Sequence, residues 1–98
     1  TFVLVNVYRR LDRQFMYHLD AYRISGAAEA LDLDLDEMIE RGSLVIEWAE
    51  RISAALPDEA LQVRLTYIEE YQRDLLISAK GKRSLSLLAI LRKEIYGG

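Results

Sequence analysis

A short apolar run stopped by an acid, Leu44-Val45-Ile46-Glu47, constrains this chain more than any other stretch. It is too brief for a buried helix, and its apolar residues do not alternate with polar ones, so it predicts a central strand covered on both faces. Such strands belong to parallel or mixed sheets, which need helical crossovers. A second segment ends the same way. Over residues 14–20, Phe15, Tyr17 and Leu19 fall on one strand face and Met16, His18 and Asp20 on the other, so this strand also closes on a carboxylate.

The remaining elements fit around these two. Residues 2–8 are β-branched and aromatic and predict a strand, joined to the next by a charged hairpin turn from Arg9 to Arg13. Ser25 can cap a short helix over 26–31. Asp34 or Asp36 can start another, with Leu35, Met38 and Ile39 at helical spacing and Gly42 as its stop. A helical turn runs from Glu50 to Leu56 and is closed by Pro57. Residues 60–68 alternate as a strand, 71–79 predict another, and 83–95 form an amphipathic helix with Leu87, Leu88, Leu91 and Ile95 on the stripe that packs on a sheet. The order predicts one α/β domain over all 98 residues, a mixed sheet flanked by helices. The chain begins on a strand at Thr1 without a Met, which predicts further sequence upstream.

Composition narrows the chemistry. With no cysteine, disulfides, thiolate zinc sites and cysteine nucleophiles are excluded, and a single histidine excludes a multi-histidine metal site. No apolar run approaches the roughly 20 residues that span a bilayer, so no membrane role is expected. A net charge of -3 disfavours a broad nucleic-acid surface. Lys80-Gly81-Lys82-Arg83-Ser84 follows a strand and opens a helix, as a phosphate loop would, but Leu76 stands where the first Gly belongs and Arg83 where Ser or Thr should follow Lys. It reads as a basic turn with Ser84 as a helix cap.

Asp20 and Glu47 are the candidates for chemistry. In open α/β sheets ligands sit beyond the carboxyl ends of the strands. A carboxylate there can hold magnesium, which needs one or two hard oxygen ligands and keeps several waters, or it can orient or deprotonate an attacking water. Acids also end strands merely because the chain meets solvent there, and position alone does not separate the two readings.

The local motifs favour the functional one. Tyr17-His18-Leu19-Asp20-Ala21-Tyr22-Arg23 has the form Y-H-x-D-x-Y-R, Ile46-Glu47-Trp48-Ala49-Glu50 has the form I-E-W-x-E, and Leu31-Asp32-Leu33-Asp34-Leu35-Asp36-Glu37 lies between them. In this order and spacing the chain resembles the TsaE (YjeE) family, P-loop ATPases of threonylcarbamoyladenosine tRNA modification, from the T-F of that family's S-P-T-F segment to its last helix. The resemblance implies a P-loop NTPase-like fold from which the N-terminal P-loop part, with its G-x-x-G-x-G-K-T loop, is absent in this sequence. It implies that Asp20 serves magnesium and hydrolysis, that Glu47 acts like a Walker B carboxylate on the same metal, that Trp48 lies near the nucleotide, and that Thr1 belongs to a switch-like segment facing the phosphates. The implied function is Mg2+-dependent ATP hydrolysis supporting modification of adenosine 37 of tRNA, in the cytoplasm, with TsaB and TsaD as partners and tRNA met indirectly.

The chain departs from the family at three places. The glycine loop that would hold ATP is not in it, Ala49 stands where Pro is common, and Asp34 stands where Gly is common. An enzyme is therefore expected only if the full chain carries the loop upstream. The alternative is a non-catalytic binding module that docks on the tRNA-modification partners.

Plainer readings compete at several residues. His18 reads first as a core or interface histidine bonded to a neighbour, ahead of a catalytic base. Trp48 as packing residue and Trp48 as nucleotide neighbour stand level. Tyr22 and Arg23 read as structural, and Glu50 as a solvated first-turn acid. The acidic run at 32–37 lacks the central Gly and terminal Glu of a calcium loop and reads as a solvated helix entry.

Overall fold

The computed structural model describes residues 5–97. Its elements in chain order are β1 (Val5–Arg9), β2 (Phe15–Asp20), α1 (Ala27–Ala30), a 3-10 turn (Leu31–Leu33), α2 (Leu35–Arg41), β3 (Gly42–Glu47), a 3-10 segment (Ala49–Ala55), β4 (Ala60–Glu69), β5 (Gln72–Lys80) and α3 (Lys82–Tyr96). They divide into two compact units, the first ending at Leu56 and the second starting at Pro57. Proline holds the residue before it out of the helical region, and Leu56 is extended, with φ -74° and ψ 146°.

In the first unit β2 lies between β1 and β3. It runs antiparallel to β1, with Val5 opposite Leu19, and parallel to β3, with Phe15 opposite Gly42 and Asp20 opposite Glu47. The β1–β2 turn is closed by the Arg10 N–H donating to the Gln14 carbonyl at 2.8 Å, with Arg13 in the left-handed region at φ 68°. The helical stretch between β2 and β3 is the crossover that a parallel pair requires. The sheet is mixed, as expected from the sequence, and the fold is α/β.

The core lies on the sheet face that carries Tyr17 and Leu19. Leu19, Ala21, Ile24, Ala30, Leu35 and Ile52 are buried together, and Val5, Met38, Leu44 and Ile46 pack against them. Burying side chains the size of Leu19, Ile24 and Ile52 contributes about 1.5–3 kcal/mol each. Asp34 explains the entry to α2. It sits at φ 53°, a left-handed conformation that favours Gly and tolerates Asp, and its Oδ1 accepts the Glu37 N–H at 3.3 Å as an N-cap. The position set against glycine by the family resemblance is therefore one that needs this backbone. At α1 it is Ser25 that donates, through both its N–H (2.9 Å) and its Oγ (2.6 Å), to the Glu29 carboxylate.

Two sequence expectations are corrected here. Among the described residues β3 is an edge of the sheet, and β2 is its centre. The Leu44-Val45-Ile46 run is covered on one face only: Leu44 and Ile46 pack on the core, while Val45 points to the opposite face and is 46% exposed. The stripe on the last helix is also narrower than the periodicity predicts. Leu88 and Leu91 are half-buried, but Leu87 and Ile95 are exposed, because α3 rests on a hairpin only two strands wide. The first strand was expected over 2–8; Val5 to Tyr8 lie within β1, and residues 2–4 lie outside the described residues.

In the second unit β4 and β5 form an antiparallel hairpin around the turn Glu70-Tyr71, with α3 packed on it. Glu59, just before β4, reaches across to the start of α3. Its carboxylate accepts the N–H of Arg83 at 3.2 Å and of Ser84 at 2.8 Å. It therefore fills the anion position that the basic turn would otherwise offer. Gly81 makes room for this, since a Cβ there would overlap the Glu59 carboxylate. The Ser84 side chain first, then the Ser84 and Arg83 amides and the Arg83 charge, hold the Glu59 carboxyl below the usual carboxylate range.

Two outcomes are expected. A Cβ on Gly42 would overlap the Phe15 carbonyl of the neighbouring strand, so Gly42→Ala should cost about 1–3 kcal/mol, read as a lower urea midpoint of the full protein. Because the folded pKa of Glu59 is depressed, its contribution is fully present above the ordinary glutamate pKa and is lost as pH falls through the lower folded value. Melting curves across acid pH should therefore show a decline in the wild type that is weaker in Glu59→Gln.

Candidate functional site

Asp20 and Glu47 are the last residues of β2 and β3 and are register partners. Neighbouring strands lie about 4.8 Å apart, and in parallel strands paired residues face the same way, so the two carboxylates stand side by side. The pairing continues past the acids, because the Ala21 N–H donates to the Glu47 carbonyl at 2.9 Å. Both acids sit on the sheet face opposite the core, as does His18, two residues before Asp20 on the same strand.

Each acid is tethered differently. Asp20 Oδ1 accepts the Tyr22 N–H at 3.0 Å, a local turn that fixes the carboxylate against its own backbone. Glu47 Oε1 lies 3.4 Å from His18 Nε2. The bonded neighbour expected for His18 is thus the second candidate acid.

Trp48 follows at φ 60° and ψ 38°. The left-handed region costs an L-residue roughly 1–2 kcal/mol, and such strain persists only where the surroundings hold it. Two contacts do so here. The Arg51 N–H donates to the Trp48 carbonyl at 3.1 Å, and the Tyr22 ring lies 5.1 Å from the indole at an interplanar angle of 60°. The Arg51 guanidinium stacks over Tyr22, 4.9 Å from its centroid. Trp48 and Tyr22 are both about half exposed. An aromatic pair, a guanidinium, a histidine and two carboxylates therefore gather at the carboxyl end of the parallel strand pair.

This arrangement brings together Asp20, Glu47 and Trp48. Thr1 lies outside the described residues. Among the described residues, no three His, Asp or Glu side chains converge on one point. Two carboxylates with open water around them suit magnesium, which takes one or two protein oxygens and retains its waters, better than a cation that needs a full protein cage. Tyr22 and Arg51 join the site, although the sequence marks Tyr22 only as structural and gives Arg51 no role. The only signal for them was spacing: Tyr22 lies two residues past one acid, and Arg51 lies one helical turn past the tryptophan.

A family model described as "Threonylcarbamoyl adenosine biosynthesis protein TsaE" matches residues 1–75. The chain belongs to the TsaE family. It is 30% identical over 79 residues to the tRNA threonylcarbamoyladenosine biosynthesis protein TsaE of Treponema pallidum, covering 80% of this chain and 57% of that protein. It is 36% identical over 69 residues to the TsaE of Bacillus subtilis, covering 69% of this chain and 42% of that protein. The crystal structure of Bacillus subtilis YdiB matches with a TM-score of 0.75 at 29% identity, over 95% of this chain and 57% of that one. The chain thus spans about half the length of the curated TsaE relatives it matches. The family match starts at residue 1 and the structural likeness takes in most of the chain, so neither shows an N-terminal part to be lacking. Among the described residues no helix is long and apolar enough to cross a membrane.

Trp48 is the only tryptophan in these 98 residues, so the tryptophan emission of this segment reports on this corner. Tyr22→Ala should free the indole and shift its emission maximum to the red, while far-ultraviolet circular dichroism stays unchanged.

Proposed function

We propose that this chain is the acid-bearing, C-terminal portion of a single TsaE-type ATPase domain, working in Mg2+-dependent ATP hydrolysis that supports threonylcarbamoylation of adenosine 37 of tRNA. The observation that carries the reading is the side-by-side placement of Asp20 and Glu47 at the ends of adjacent parallel strands. The names of the relatives, all tRNA threonylcarbamoyladenosine biosynthesis proteins, support the pathway.

Asp20 and Glu47 would hold the metal, and one carboxylate would also orient the attacking water or take its proton. A bound magnesium ion supplies charge neutralisation on the phosphates. Trp48 lines the nucleotide, kept in place by Tyr22 and Arg51. The phosphates themselves need backbone N–H groups and a lysine, and no glycine-rich loop of that kind occurs in these 98 residues. The reading therefore puts that loop upstream of Thr1, and puts Thr1 in the segment that faces the phosphates. Partners are TsaB-like and TsaD-like proteins, tRNA is met indirectly, and the compartment is the cytoplasm.

A second reading, a non-catalytic module that docks on those partners, draws on the second unit. There Val63, Leu65 and Leu75 share one face of the β4–β5 hairpin and are all exposed.

In the full protein, Asp20→Ala and Glu47→Ala should each lower ATP turnover about 10²-fold or more with the fold intact, the scale of a lost acid–base or metal group. A wild-type rate in either variant rejects that residue's role. Absence of any Mg-ATP-dependent change in Trp48 emission, with partner binding retained, would favour the docking module.

A further inference from the structure

His18 belongs to this site in a role that its spacing does not reveal. It is the only histidine in the chain. It lies on the central strand, paired on one side with Asn6 of β1 and on the other with Val45 of β3. Its side chain is about a quarter exposed, whereas that of Glu47 is more than half exposed. The imidazole is thus hemmed in by strands on both sides, while the carboxylate it meets extends into solvent.

The two acids differ in how much bracing they need. Asp20 has a short side chain already tied to the Tyr22 N–H. Glu47 has one more methylene and one more torsion, and a half-exposed glutamate samples several rotamers whose freedom must be lost to fix the carboxylate. It also stands beside a like charge, which pushes it away from its register partner. Among the described residues, the one side-chain partner of Glu47 is His18, with Nε2 at 3.4 Å from Oε1. Nε2 must carry the hydrogen for this contact to be favourable, and the contact then occupies one carboxylate oxygen and leaves Oε2 for other work.

We propose that His18 is a positioning residue for Glu47. Its ring N–H holds Oε1, so that Oε2 points beyond the strand ends beside the Asp20 carboxylate. His18 touches neither substrate nor metal, and acts only through the glutamate. The proposal rests on the reading of Glu47 as a functional carboxylate. Outer groups that orient a metal-binding side chain cost about 10- to 100-fold in affinity or activity when removed.

The test uses the full protein in four variants: His18→Ala, His18→Gln, Glu47→Gln and the double variant His18→Ala/Glu47→Gln. His18→Ala should lower kcat about tenfold, the low end for such a group, with KM for ATP little changed. His18→Gln, whose amide N–H can reach the same oxygen, should recover most of that loss. The double variant should be no slower than Glu47→Gln alone. A second readout is independent of turnover. The His18 ring signals, identified in NMR spectra by their loss in His18→Ala, should move on Mg2+ titration in the wild type and stay still in Glu47→Gln. If Glu47→Gln is fully active, the reading of Glu47 itself fails. If Glu47→Gln is slow but His18→Ala runs at the wild-type rate, or if its loss adds fully to that of Glu47→Gln, the positioning role is overturned and the reading of Glu47 stands.

Discussion

The parallel pairing of β2 with β3, in the register that sets Asp20 against Glu47, is the constraint on which the rest of the first unit depends. It requires a crossover, and residues 21–41 supply one as two short helices with a 3-10 turn between them. The crossover buries Ile24, Ala30 and Leu35 against Leu19 and Ile52, which makes the core. The same pairing ends both strands at one level, so the side chains that follow them, Tyr22 and Trp48, meet across the gap. Packing, topology and the site are three results of one register. A slip of one residue would turn one acid toward the core and part the aromatic pair.

Most of this architecture is legible in the chain because local signals agree with it. Asp34 and Gly42 bracket α2 as cap and stop, and the alternation at Phe15, Tyr17 and Leu19 names the inner face of β2. What misled was the apolar run of β3. Three apolar residues in a row suggest cover on both faces, yet Val45 meets no core among the described residues, and neighbouring strands cannot be read from the strand itself. The helix stripe of α3 failed for a related reason. Periodicity shows which residues could be buried, but the width of the partner surface decides how many are, and a hairpin covers Leu88 and Leu91 only.

The candidate site is legible in its acids and illegible in the residues around them. Asp20 and Glu47 are marked by motif and by their place at strand ends. Tyr22 and Arg51 are not, since a stack between residues 29 positions apart depends on how the 3-10 segment turns after Trp48, and that turn rests on a left-handed tryptophan that no propensity would place there. The basic turn at Lys80–Ser84 shows the opposite case. Its composition suggests anion binding, and the fold meets that need internally with the Glu59 carboxylate.

The crossover between β2 and β3 has one more consequence. The two acids come from segments far apart in the chain, and β3 is held along only one of its edges among the described residues. Edge strands open more readily than central ones. Whenever β3 peels from β2, the two carboxylates part and the Ala21–Glu47 hydrogen bond breaks in the same event. The amide of Ala21, exchanging its hydrogen with solvent only during such openings, would serve as a clock for how often the two-carboxylate corner exists at all.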